Sequence, residues 1–212
     1  MEMKALIDNF PNQLKEAIGI GEKAKLTSTK KKIANVFISG LGGSGIGGTI
    51  VSELSALEAT VPITVSKGYF IPKFVNENTL VIISSYSGNT EETLNCLNLA
   101  LKRKAKIVCI TSGGKVAEIA KKKKLDCITI PGGNPPRSCL GYSLTQQLYI
   151  LSYFKIVSNK CRAQLKASVQ LLEAEKENII KEAGQVVKAL VSKTPIIYAT
   201  TYFEGVAIRF RQ

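Results

Sequence analysis

A doubly wound α/β fold is predicted for this 212-residue chain, and three features predict it. Five short runs rich in β-branched residues, at positions 36–39, 61–65, 79–84, 106–111 and 126–130, alternate with helical stretches rather than with hairpin turns. Their apolar residues run on continuously, as in parallel strands covered on both faces. The first run breaks into Gly40-Leu41-Gly42-Gly43-Ser44-Gly45-Ile46-Gly47-Gly48, a strand-to-helix turn whose glycines let a ligand approach the backbone. The helix that follows offers unpaired N–H groups to an anion, most simply a phosphate.

In chain order, residues 1–34 read as a helical lead-in, with Leu6, Ile7, Phe10, Leu14 and Ile18 near helical spacing and Pro11 breaking or restarting it. Helix is expected at 49–57, and Pro62 stands at the start of the second strand, where a sheet tolerates it. Helices are expected at 91–103 and 115–122, the second closed by Lys121 to Lys124, where cations favour the negative helix end. Residues 142–157 are apolar almost all round, which predicts a buried helix. The stretch 164–191 is amphipathic, with Leu165, Val169, Leu172, Ile179, Val186 and Leu190 on its apolar side, and reads as a covering or connecting helix. A new strand at 194–200 and the start of a helix at 202–212 repeat the pattern of 36–54. The expected organisation is therefore a lead-in (1–34), one sheet domain (35–158), connecting helices (159–193) and the opening of a second α/β domain (194–212), with the chain stopping inside that helix.

Composition narrows the function classes. The net charge is +13, yet the lysine clusters have no interleaved aromatics, so a solvated surface and no nucleic-acid partner is the expectation. No apolar run approaches the roughly 20 residues of a membrane helix, and residues 1–10 lack the core of a signal peptide, which predicts a cytoplasmic protein with no membrane partner. The five cysteines show no C-x-x-C spacing and the chain contains no histidine, so free buried thiols and no metal are expected.

Chemistry-bearing residues concentrate in loops after strands. Ser84-Ser85-Tyr86-Ser87-Gly88-Asn89-Thr90-Glu91-Glu92-Thr93 joins the third strand to a helix, and its hydroxyls suit a phosphate monoester. The same pattern also serves as an ordinary helix cap, through Thr90 with Thr93 or Ser87 with Glu91. Gly40, Gly42 and Gly45 fit the dinucleotide fingerprint as well, but an NAD site wants an acidic residue about 20 positions on, where this chain has Ser66-Lys67. Lys67 leaves an NADP 2′-phosphate open, although the hydroxyl-rich second loop would then lack a purpose.

Residues 40–48, 84–93, Ile110-Thr111-Ser112-Gly113-Gly114 and Pro136-Arg137-Ser138-Cys139-Leu140-Gly141-Tyr142 together resemble the sugar isomerase (SIS) domain, and more narrowly the bifunctional phosphoglucose/phosphomannose isomerases of prokaryotes. That resemblance implies a flavodoxin-like strand order, two such domains in tandem, and a cytoplasmic homodimer without cofactor. It implies conversion of glucose 6-phosphate or mannose 6-phosphate to fructose 6-phosphate through a cis-enediolate. By the same resemblance Ser44, Ser85, Ser87 and Thr90 bind the substrate phosphate, with a backbone contact from Gly43. Arg137 matches the family's active-site arginine and Glu204 the glutamate that moves the proton between the two carbons. Each also has a plain structural role open to it: a loop salt bridge for Arg137, a first-turn acid favoured by the helix dipole for Glu204. The family's ring-opening histidine has no counterpart here, so weak turnover at most is expected of these residues alone. Two rival readings are a non-catalytic sugar-phosphate sensor of a regulator and a glucosamine-6-phosphate synthase-like domain.

Overall fold

The computed structural model describes residues 3–212; Met1 and Glu2, the first two residues of the expected lead-in, lie outside the described residues. Five parallel strands, β1 (Asn35–Ser39), β2 (Ile63–Ser66), β3 (Thr79–Ser84), β4 (Lys106–Thr111) and β5 (Asp126–Thr129), form one sheet in the order β2-β1-β3-β4-β5. This is the flavodoxin-like order, with every neighbouring pair parallel.

Side chains alternate across each strand and divide the core in two. On one face Val36, Ile38, Leu80, Ile82, Val108 and Ile110 pack with residues of α2 (Phe10–Lys23), α3 (Gly42–Ser55), α6 (Leu140–Tyr153) and α7 (Lys160–Ala174). On the other, Phe37, Val81, Ile83, Ile107 and Cys109 meet α4 (Glu91–Lys102) and α5 (Gly114–Lys123). The lead-in is thus part of the core: after the short α1 (Met3–Asp8), Pro11 sits in the first turn of α2, where its missing N–H costs no hydrogen bond. Gly21 lies so close under Tyr149 of α6 that an added Cβ would sit 2.6 Å from the ring. The thiols of Cys96, Cys109, Cys139 and Cys161 are buried and all five cysteines are free.

Three elements differ from the sequence expectation. The first crossover helix begins at Gly42, not at residue 49. Gly47 and Gly48 are accommodated in the helix because α3 is pressed against its neighbours: a Cβ at Gly48 would stand 3.0 Å from Ile38 Cγ2, and one at Gly47 would stand 3.1 Å from Ser143 Oγ. The stretch 164–191 is two helices, α7 and α8 (Lys176–Leu190), meeting at Glu175. No Gly or Pro marks that break; α7 follows the core through Cys161, Leu165 and Val169, whereas α8 buries nothing. Residues 194–200 form no strand. A strand needs a neighbour for its amides and carbonyls, and among the described residues none lies beside this exposed segment. The last helix, α9 (Glu204–Arg211), is where the sequence places it.

At the amino ends of the strands, the Asp126 carboxylate accepts from the Thr27 backbone N–H, from Thr27 Oγ1 and, at 2.7 Å, from Lys106 Nζ. The Asp126 and Lys106 side chains are only 6% and 17% exposed. Removing the charge strands a largely buried ammonium, so Asp126→Asn should lower stability by about 2 kcal/mol, read as a shift in the urea midpoint at unchanged slope.

Candidate functional site

Doubly wound sheets bind ligands beyond the carboxyl ends of the strands, at the point where successive crossovers leave on opposite faces. Here that point lies between β1 and β3: α3 covers one face and α4 the other. The two strand ends touch, since a Cβ at Gly40 would meet the Ser84 carbonyl oxygen at 2.9 Å.

Both helices that open there start without a side-chain cap. Leu41 occupies the N-cap of α3, and Thr90 that of α4, with no capping hydrogen bond from either side chain. The first N–H groups of α3 are therefore left to another acceptor. Ser44, in the first turn, is 8% exposed. In the second loop the capping alternative is not realised: Ser85 Oγ lies 3.2 Å from Thr90 Oγ1, and Ser87 Oγ accepts from the Asn89 N–H at 3.2 Å. Ser85 is buried, Thr90 half-buried and Ser87 exposed. Glu91 and Glu92 follow in the first turn of α4, so what that loop offers a ligand is hydroxyls and backbone groups rather than a net positive charge.

The second loop is locked to its neighbours. Gly88 has φ +67°, and its N–H donates to the Ser85 carbonyl. The Tyr86 carbonyl accepts from both the N–H and the hydroxyl of Ser112, and Val116 N–H donates to the Gly88 carbonyl. Tyr86 also reaches the last loop, its phenol oxygen accepting from the Asn134 N–H at 3.1 Å. Burial, with the Cys139 thiol beside it, pushes that phenol up to about 12, so Tyr86 stays a neutral clamp between the two loops.

Arg137 sits in the short 3₁₀ turn Pro136–Ser138. That turn abuts the start of α3: a Cβ on Gly43 would lie 3.0 Å from the Pro136 carbonyl oxygen and 3.7 Å from Arg137 Cα. The Arg137 side chain is exposed and joins no salt bridge among the described residues, so the loop ion pair open to it in the sequence is not formed. Glu204 opens α9, which packs on α3; the Glu204 carboxylate is exposed. It lines a pocket of about 340 Å³ with Thr49, Ser52, Glu53, Val65 and Lys67. A larger groove of about 1150 Å³ runs between α8 and residues 195–211 and shares Glu53 and Glu204 with that pocket.

The fold thus brings Gly43 against the Arg137 turn and Ser85 against Thr90, and it seats Glu204 on the outer side of α3. Sequence reasoning did not single out Glu53 or Tyr86, and it weighed Lys67 only for a nucleotide. Glu53 reads as an ordinary surface position of a helix, and its partner is 152 residues away. A Cβ on Gly45 would lie 3.1 Å from Lys67 Cγ, so Lys67 borders both the glycine turn and the Glu204 pocket.

Comparison with known proteins agrees with this architecture. The sequence profile of the SIS domain matches residues 30–153. The bifunctional phosphoglucose/phosphomannose isomerase of Caldicellulosiruptor bescii is 39% identical over 196 residues, 90% of this chain and 58% of that protein. Its namesake from Thermoplasma acidophilum is 39% identical over 178 residues, 84% of this chain and 54% of that protein. The chain therefore spans little more than half the length of these relatives. Among solved structures, the C-terminal domain of glucosamine-fructose-6-phosphate aminotransferase from Francisella tularensis superposes with a TM-score of 0.70 at 16% identity, over 96% of this chain and 63% of that one. With the profile covering more than half of the residues and the strand order to match, the chain belongs to the SIS domain family.

Proposed function

We propose that this protein is an aldose–ketose isomerase of hexose 6-phosphates, interconverting glucose or mannose 6-phosphate with fructose 6-phosphate. The observation that carries the reading is the pair of uncapped helix starts, α3 and α4, on either side of the switch between β1 and β3. The substrate phosphate is held by the Gly43 backbone, Ser44, Ser85, Ser87 and Thr90, whose N–H and hydroxyl groups match the many acceptor sites of a monoester. The sugar then runs outward along α3 toward Arg137 and Glu204.

Glu204 removes the proton from C2 of the open-chain aldose, and the electron pair moves into a C1–C2 double bond to give the cis-enediolate. The same carboxyl returns its proton to C1, with the hydroxyl proton passing from O2 to O1, and the ketose results. A fixed guanidinium at Arg137 offsets the negative charge that builds on the oxygens, a contribution of several kcal/mol in a preorganised site. The net change is a shift of two protons that consumes no oxidant or reductant, and the proton held on the Glu204 carboxyl between the two steps exchanges with solvent. The relatives' greater length supports a second part of the reading: residues 194–212 open a second SIS unit of a tandem enzyme. The ring-opening histidine that the family resemblance implies is then supplied from outside these 212 residues, which contain none.

The test follows fructose 6-phosphate in D₂O by proton NMR. Loss of one C1 proton signal, dependent on the protein and competed by glucose 6-phosphate, is expected even where net turnover is slow. Thermal stabilisation by fructose 6-phosphate beyond that of inorganic phosphate should accompany it. Stabilisation by NADP alone, with no C1 exchange, would overturn the reading.

A further inference from the structure

We propose that Glu53 is a positioning residue that fastens the helix bearing Glu204 to the helix whose N-terminus faces the phosphate. The proposal rests on the reading of Glu204 as the proton-transfer group, but the contact itself stands on separate geometry.

Glu53 lies in α3, and both of its carboxylate oxygens accept the Gly205 backbone N–H, at 3.1 and 3.0 Å. That N–H belongs to the first turn of α9, whose N-cap residue, Phe203, provides no side-chain acceptor. Glu53 therefore caps α9 from another helix, adding a negative charge where the helix end is positive. The fit is close. Gly205 is the one buried residue of α9, and a Cβ there would stand 2.8 Å from Ile50 Cγ1 and 3.0 Å from Glu53 Oε2. One turn on, Arg209 donates to the Arg137 carbonyl at 2.6 Å. A helix of eight residues is thus pinned at its start to α3 and near its end to the Arg137 turn. Glu204, adjacent to the capped amide, inherits its place from that brace, and Glu53 shares its pocket without an ion-pair partner among the described residues.

The brace depends on an acceptor oxygen, whereas a substrate contact would depend on the charge. Glu53→Gln keeps a carbonyl oxygen for the Gly205 N–H; Glu53→Ala removes it. Hydrogen exchange of the Gly205 amide should accelerate at least tenfold in Glu53→Ala and change less than threefold in Glu53→Gln, while amides of the sheet strands keep their protection in both. In the C1-exchange assay Glu53→Ala should lose at least tenfold in maximal rate with half-saturation by fructose 6-phosphate within threefold, and Glu53→Gln should recover most of that rate. An unchanged Gly205 amide in Glu53→Ala overturns the brace, and so does equal damage by the two variants. A rise in half-saturation at unchanged maximal rate overturns it as well, since it would mark Glu53 as a substrate contact. If Gly205 is freed as expected while Glu204→Gln retains full exchange activity, the brace stands and the assignment of Glu204 falls.

Discussion

Glu204→Gln should lower the rate of C1 proton exchange in fructose 6-phosphate by about 10²- to 10⁴-fold, the usual contribution of a positioned general base. Glutamine preserves the volume and the hydrogen-bonding reach of the side chain but has no lone pair basic enough to take a carbon-bound proton. The loops proposed to hold the phosphate lie on other elements, so half-saturation by the substrate should move less than twofold. The loss would then fall on the chemical step alone, as for an interaction made only in the transition state. Stability should barely change, because Glu204 is exposed and accounts only for a first-turn charge worth about 0.3–1 kcal/mol. A mutant that exchanges the C1 proton at the wild-type rate would leave Glu204 with that helix-end role and nothing more.

Gly88→Ala should be the most destabilising change in the loops proposed to hold the phosphate. Gly88 combines φ +67° with no space: an added Cβ would lie 1.8 Å from the Gly113 carbonyl oxygen and 2.8 Å from Thr111 Oγ1. The left-handed conformation by itself costs a non-glycine residue about 1–3 kcal/mol. The collision adds a cost of similar size, because it meets backbone rather than the free end of a side chain. A loss of about 4 kcal/mol in urea unfolding is expected, with binding of fructose 6-phosphate weakened more than tenfold as the hydroxyls of Ser85, Ser87 and Thr90 are displaced. Gly42→Ala is the control. It has a comparable φ of +56° but nothing within 4 Å of the added methyl, so only the backbone term of about 1 kcal/mol applies. Equal losses in the two variants would show that conformation, and not the close approach of the two loops, makes Gly88 necessary.

The central strands β1, β3 and β4 were legible because each is a short run whose two faces both meet apolar partners, and that demand is local to the residues themselves. The start of α3 was not. Glycines at 42–48 read as a loop because their intrinsic preference opposes helix, but at Gly47 and Gly48 contact with Ile38, Val65 and Ser143 leaves no room for larger residues and the helix forms regardless. The split at Glu175 was equally hidden, since it arises where α7 follows the core and α8 leaves it. The lead-in looked like packing, and Leu14, Ala17 and Ile18 do pack, in the same cluster as Val36 and Ile38.

For the site, the hydroxyls after β3 and the anion-binding character of the turn after β1 follow from residue types and their order along the chain. Those features determined the fold class, the five strands of the sheet and the expectation of a phosphate, while the strand expected at 194–200 is not formed. The strand order followed from the family resemblance, whereas the closeness of the Arg137 turn to Gly43 and the grip of Glu53 on Gly205 were decided by the tertiary structure alone. The reason is one of distance along the chain: periodicity and turn chemistry act over a few residues, whereas the Glu53 contact closes over 152 and exists only once the sheet has brought α3 and α9 side by side.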